Sequence, residues 1–237
     1  MMNGRNSGKS FDFGEYAFAQ DWVMLPGMHD RTTSIGDFLT ATAAKQPTPG
    51  GGSVAALAGA LSAAIGEMVL SYSIGKKDLI PFDAELKHAA RELQLAREVL
   101  LKLMVEDQEA YAELTAVRKL PADSVDRRER LPIAVMACIR CPQAVGATAI
   151  AVLKLCDQLV EIVNPWLLSD LAVSADLAMA TARAAGYNVR VNLSSIENTA
   201  DRKRLEDETH AMLQHAKVLI QHVGPLIWSR YDQATRK

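Results

Sequence analysis

Apolar residues recur along most of the chain at the spacing of a helix face, not of a strand. Through 53–73, Leu57, Leu61, Ile65 and Met68 form a bulky ridge. Gly52, Ala56, Ala60 and Ala64 recur every four positions, with Ala55, Gly59 and Ala63 beside them. Residues four apart share a helix face, so the pattern predicts a helix that another backbone can approach closely. From 83 to 118, Leu86, Ala90, Leu93, Ala96, Leu100, Leu103 and Met104 keep the helical period, which predicts one long helix stopped by Pro121.

Start and stop signals place the rest. Ser34 is the expected N-cap of a first helix, with Asp37 favourable in its first turn, ending near Lys45 before Pro47. A helix is expected over 127–140, and Pro142 is expected to open a separate apolar helix to Val163, broken by Asn164-Pro165. Ser169-Asp170 reads as the cap of an Ala-rich helix that stops at Gly186. The alternation in "YNVRVNL", 187–193, reads as extended, and 195–231 as a final amphipathic helix interrupted near Gly224-Pro225. No sheet emerges. The expected fold is all-α, one domain of about seven helices over 34–237, behind an irregular extension, 1–33. Phe11, Phe13, Tyr16, Phe18 and Trp22 suggest that part of this extension docks.

Composition narrows the function. At 237 residues, 49% hydrophobic and 23% charged, the chain can bury a sizeable core. A net charge of −2 offers no basic excess to neutralise phosphates, so no nucleic-acid partner is expected. Residues 1–30 lack the charged start and apolar run of a signal peptide, and the three cysteines fit a reduced cytoplasm. Cys138-Ile-Arg-Cys141 lacks the βαβ setting of a redox motif, and the five histidines form no H-E-x-x-H, so no metal site is expected.

"QPTPGGGSVAALAGALSAAIGEMV", 46–69, admits three readings. It is long enough for a membrane span, but Glu67 and many Ser and Ala residues make it poorly hydrophobic, and no membrane partner is expected. A P-loop requires a preceding strand and a Lys-[Ser/Thr] ending, both missing. The third reading is a glycine loop at a helix start. There the glycines either expose free N–H groups to an anionic or carbonyl oxygen or only permit a sharp turn and close packing. The residues leave these two open.

Four segments in order carry a resemblance: "PTPGGGSVAALAGALSAAIGEMV", "SIGKKD" at 73–78, "EDQEAYAELTAVRKLP" at 106–121 and "SDLAVSADLAMATARAAGYNVRVNL" at 169–193. Over roughly 34–230 the chain resembles the cyclodeaminase domain of formiminotransferase-cyclodeaminase and the free-standing bacterial methenyltetrahydrofolate cyclohydrolases built on it. The resemblance implies an all-helical homodimer, a tetrahydrofolate derivative as substrate, and no metal or further cofactor. It implies that one folate cleft is lined by the glycine loop (Pro49, Gly50, Gly51, Gly52, Ser53), the Gly-Lys-Lys turn, the Asp-x-x-Ala-Tyr helix and the Ser-Asp…Asn-Val…Asn-Leu segment. The family often has an aromatic after Gly-Lys-Lys, where Asp78-Leu79-Ile80-Pro81 stand here.

In the implied reaction water adds to the methenyl carbon of 5,10-methenyltetrahydrofolate, and the N5–C bond opens to give 10-formyltetrahydrofolate. A cyclodeaminase passes through a similar tetrahedral carbon that bears NH2 and releases ammonia. Both need a base, an acid and an anion near a cationic carbon. By spacing alone Asp107 is a surface acid of the 106–109 cluster; with the resemblance it is the candidate anion and base, with Tyr111 one turn on. Lys76 and Lys77 are candidate proton shuttles, adjacent ammonium groups lowering each other's pKa, or else simply complement a helix C-terminus. Asp170, Asn188 and Asn192 are candidate readers of the pterin's amino-pyrimidine edge. Cyclohydrolase is the first expectation, formiminotetrahydrofolate cyclodeaminase the second, and a catalytically silent helical dimer that binds folate or a protein partner the third.

Overall fold

The computed structural model describes residues 28–235. The regular elements among them are all helical: α1 (Ile35–Ala43), α2 (Gly51–Ser71), α3 (Asp83–Arg118), α4 (Val125–Leu159), α5 (Leu168–Leu193) and α6 (Thr199–Thr235). Short 3-10 turns at Lys77–Phe82 and Pro165–Leu167 lead into α3 and α5. The all-α expectation holds, with six long elements where about seven were expected. Phe11, Phe13, Tyr16, Phe18 and Trp22 lie outside the described residues.

The small residues of α2 decide what packs on it. A Cβ added at Gly59 would lie 3.0 Å from Thr181 of α5 and 3.1 Å from Leu100 of α3. One added at Gly66 would meet Leu93 at 3.0 Å and Ser174 at 3.2 Å. Gly52 meets Asp107, and Gly51 meets Asn188. Residue numbers fall on α3 and α5 as they rise on α2, so both helices run antiparallel to α2, one on each side. Close approach lets two buried serines bond across the contact: Ser62 Oγ donates to the Ser174 carbonyl at 2.7 Å, and Ser174 Oγ to the Ser62 carbonyl at 2.8 Å. Helix α4 packs on α3 and α5, and α6 lies outside on α4 and α5. Leu70, Leu86, Leu93, Leu153, Leu168 and Leu171 are fully buried between these layers, each contributing about 1.5–3 kcal/mol relative to exposure.

Helices α2 and α4 are each long and apolar enough to cross a membrane, yet 56% of the most apolar window of each is buried inside the protein. Their apolarity serves the core. Glu67, alone in the apolar run, finds Arg97 of α3 at 2.6 Å, as a partly buried carboxylate requires.

Four boundaries differ from the sequence reading. Pro142 opens no new helix: α4 runs unbroken through Pro132 and Pro142. A proline inside a helix removes one backbone donor. Here Asn192 of α5 supplies one instead, to the Cys138 carbonyl at 3.2 Å. Buried Ile139 and Val145 hold both sides of the proline in the core. Gly186 does not stop α5; it makes room for Leu213 of α6, 3.0 Å from where its Cβ would stand. The segment "YNVRVNL" is therefore helical to Leu193, and buried Val189 and Leu193 lie one turn apart. Ser169 and Asp170 fall in the first turn of α5 and cap nothing; the Asn164 side chain instead accepts from Trp166 N–H and starts the preceding 3-10 turn. Gly224-Pro225 does not interrupt α6, whose Val223 and Ile227 are buried on either side. The first helix begins as read, with Ser34 Oγ accepting from Asp37 N–H at 3.1 Å.

Candidate functional site

The glycine loop and Asp107 meet. Buried Pro49, after a cis Thr48–Pro49 peptide, leads to Gly50, the N-cap of α2, which has no side chain to bond the first-turn N–H groups. Asp107 of α3 takes that place. Its carboxylate accepts from Ser53 Oγ at 2.8 Å and from the Ser53 N–H, the bond an N-cap side chain ordinarily makes within its own chain segment. Gly52 is required by this contact: a Cβ there would stand 1.9 Å from Asp107 Oδ1. Burial pushes the Asp107 carboxyl above its ordinary 3.8 and outweighs the two Ser53 bonds, which act the other way. Asp107 thus keeps its proton to higher pH than an exposed aspartate.

Asn188 of α5 flanks the loop from the other side. Its Nδ2 donates to the Ala184 carbonyl at 2.9 Å, and its Oδ1 lies 3.2 Å from the position a Gly51 Cβ would take. Asn192, one turn on, donates to the Cys138 and Asn188 carbonyls. Tyr111 follows Asp107 by one turn of α3 and is exposed. This end of the molecule therefore gathers Pro49, Gly50, Gly51, Gly52, Ser53, Asp107, Tyr111, Asn188 and Asn192. It turns oxygen acceptors, the Asp107 carboxylate and Asn188 Oδ1, toward the loop. The expected display of loop N–H groups is partly used up, since Ser53 N–H serves Asp107.

Lys76, Lys77 and Asp170 are at the other end. Lys76 and Lys77 are exposed just beyond the C-terminus of α2, after Gly75, whose φ of +76° makes the turn. Gly75 N–H donates to Asp83 Oδ1 at the start of α3. At about 1.5 Å per residue, α2 alone separates the two ends by roughly 30 Å. Asp170 begins α5, which runs antiparallel to α2, and so lies at the lysine end. Within one chain the expected residues form two clusters at opposite poles. Recesses of about 340, 510 and 420 Å³ open at Trp166–Trp228, along α3 at Asp30–Glu109, and at Arg183–Lys217. None of the three takes in Asp107, Lys76 or Lys77.

Two features of the Asp107 pole were missed in the sequence. Gln108 is fully buried, and its amide holds residue 29 by both backbone groups, accepting from His29 N–H at 3.0 Å and donating to the His29 carbonyl at 2.8 Å. Its signal was an amide one turn after Met104 on an otherwise apolar face. Burial raises the thiols of Cys138, to about 11, and Cys141, and the charge of Asp107 adds to both. A raised thiol pKa disfavours the thiolate, which is the nucleophilic form. Among the described residues, no three His, Cys, Asp or Glu side chains converge as a metal site.

Comparison with known proteins agrees with this architecture. Residues 34–211 match the family model described as Formiminotransferase-cyclodeaminase. A methenyltetrahydrofolate cyclohydrolase of Methylorubrum extorquens is 28% identical over 203 residues, 84% of this chain and 98% of that one. The formimidoyltransferase-cyclodeaminase of Gallus gallus is 29% identical over 83% of this chain, which spans only 38% of that longer protein. The structure of formiminotetrahydrofolate cyclodeaminase from Thermotoga maritima superposes with a TM-score of 0.77 at 26% identity, covering 83% of this chain and 96% of that one. With the family model spanning 34–211 and the same helical fold, the chain belongs to the formiminotransferase-cyclodeaminase family.

Proposed function

We propose that the protein hydrolyses 5,10-methenyltetrahydrofolate to 10-formyltetrahydrofolate. The observation that carries this reading is Asp107, a shielded carboxylate of raised pKa set against the glycine loop, with Asn188 Oδ1 beside it. A cluster of acceptors suits a cationic carbon and a ring edge rich in N–H groups. The similarity to the cyclohydrolase of Methylorubrum extorquens, 98% of which aligns with this chain, supports it. In the first step water adds to the methenyl carbon: a C–O bond forms, and Asp107 takes the proton. In the second step N5 is protonated, the N5–C bond breaks, the hydroxyl loses its proton, and a formyl group remains on N10. A lysine is the acid that protonates N5. Water, a base and an acid complete the reaction, so no further cofactor is called for.

The acid must come from a second copy. Val54 and Leu61 of α2 and Tyr72 at its C-cap are 40%, 52% and 63% exposed and continue an apolar stripe through half-buried Leu57, Ile65 and Met68. A two-fold axis near Leu61 and Ile65 buries this stripe against itself and sets the two α2 helices antiparallel. The Gly-Lys-Lys turn of each copy then lies over the glycine loop of the other. Lys76, Lys77 and Asp170 of one copy complete the site that Asp107, Ser53 and Asn188 begin in its partner. Tyr111 borders the opening.

The second reading is cyclodeaminase, favoured by the Thermotoga maritima protein of that name, 96% of which aligns here. Purified protein is expected to abolish the absorbance of 5,10-methenyltetrahydrofolate, and Asp107→Asn to slow this at least about a hundredfold. Ammonia release from 5-formiminotetrahydrofolate with no hydrolysis favours the second reading. Folate binding without either turnover overturns both in favour of a silent binder.

A further inference from the structure

The Cys138 carbonyl sits in the middle of α4, four residues before Pro142. In an unbroken helix the residue at 142 would donate its N–H to that carbonyl; proline has none. Cys138 is buried, so the orphaned oxygen has no ready access to water. Asn192 of α5 reaches across and donates its Nδ2 to it at 3.2 Å. The same nitrogen donates to the Asn188 carbonyl at 3.0 Å. A side-chain amide has two N–H hydrogens, and both are engaged within the protein.

Consequences reach the candidate site from two sides. Asn188, whose carbonyl Asn192 holds, places its own Oδ1 against Gly51. On α4, the turn Asn192 holds leads into Cys141, whose Sγ donates at 3.5 Å to the Leu103 carbonyl of α3, one turn before Asp107. Pro142 thus leaves a carbonyl free in α4, and α5 docks onto it through one amide beside the glycine loop. We propose that Asn192 is a positioning residue: it is pinned by the vacancy that Pro142 creates, and it sets Asn188 and the α4 wall of the Asp107 site. This rests on the folate reading for its kinetic part and on geometry alone for its structural part.

The test uses the full chain and three variants, Asn192→Ala, Asn192→Asp and Pro142→Ala, with the double variant Asn192→Ala/Pro142→Ala. Asn192→Ala is expected to lower kcat about tenfold with KM within about threefold, because it loosens the wall without removing a substrate contact. Pro142→Ala restores the N–H for Cys138, so in that background the Asn192→Ala loss shrinks to about threefold or less. Asn192→Asp sets a carboxylate against two carbonyl oxygens and is expected to be worse than alanine. A reader of the pterin's N–H groups would behave in reverse, with KM kept or improved by aspartate. Equal Asn192→Ala losses with and without the Pro142→Ala change overturn the proposal, as does aspartate retaining wild-type KM and kcat. Melting temperatures give the same comparison without turnover: Asn192→Ala lowers Tm while Pro142 is present, and changes it little in the Pro142→Ala background. If the wild type turns over no folate, the function fails while the coupling in Tm still decides this inference. If Asn192→Asp does not fold, the alanine pair alone decides it.

Discussion

Asp107 does two jobs that oppose each other. It caps α2 from a neighbouring helix, and it holds a charge where burial disfavours one. Its pKa in the folded protein lies above the ordinary 3.8 because desolvation outweighs the bonds from Ser53. Between the two values the folded state keeps a proton that the unfolded chain has released. The stability tied to this carboxyl is therefore fully present below the unfolded value and is lost as pH rises through the folded one. Asparagine at 107 keeps an oxygen for Ser53 N–H and carries no charge. Asp107→Asn is thus expected to gain stability relative to wild type as pH rises, by roughly 2–4 °C in Tm at pH 8 and almost nothing at pH 3.5. Thermal melts of both proteins across that range check it; a gain equal at both ends would mean that burial of the charge is not the cause. The same variant is expected to lose turnover, a cost in stability kept for chemistry.

At the scale of the helix, the small residues of α2 set how close α3 and α5 come, and the serine pair shows what that closeness permits. Ser62→Ala removes one of two reciprocal buried bonds to α5 and is expected to cost about 1 kcal/mol of stability. It lies about 16 Å along α2 from the glycine loop, so kcat should stay within about twofold; denaturant unfolding and the hydrolysis assay check the two halves. The glycine and alanine spacing made this helix readable in advance, as did the bounds of α3, because periodicity and a clean stop at Pro121 agree. Local signals misled where a tertiary partner overrides them. Pro142 reads as the start of a new helix until an amide 50 residues later supplies the missing donor and lets α4 run through it. Gly186 is a stop signal until Leu213 needs the space. Alternation in 187–193 looked like a strand because Val189, Val191 and Leu193 are apolar, but only the first and last are buried.

For the whole molecule, the family motifs were legible in the sequence, and their arrangement in space was not. Sequence order says nothing about which pole of an antiparallel bundle each motif occupies, and four motifs of one family fall into two clusters roughly 30 Å apart along α2. In the dimer proposed above, a second copy related by a two-fold axis reunites them, and mixing tests this. Asp107→Asn and the pair Lys76→Ala/Lys77→Ala are each expected to be nearly inactive alone. Mixed in equal amounts under conditions that let subunits exchange, about half the dimers pair one of each. In such a dimer one site takes Asp107 from the lysine variant and both lysines from the aspartate variant, and is intact; the other carries every lesion. Turnover is expected to recover to about a quarter of wild type. If Lys76, Lys77 and Asp107 served one site within a single chain, mixing would restore nothing. Leu61→Glu adds a charge to the exposed centre of the α2 stripe. It should give folded monomers by sedimentation that neither turn over substrate nor rescue a partner. Activity in a folded Leu61→Glu monomer would place the reaction within one chain and leave the apolar stripe of α2 without this role.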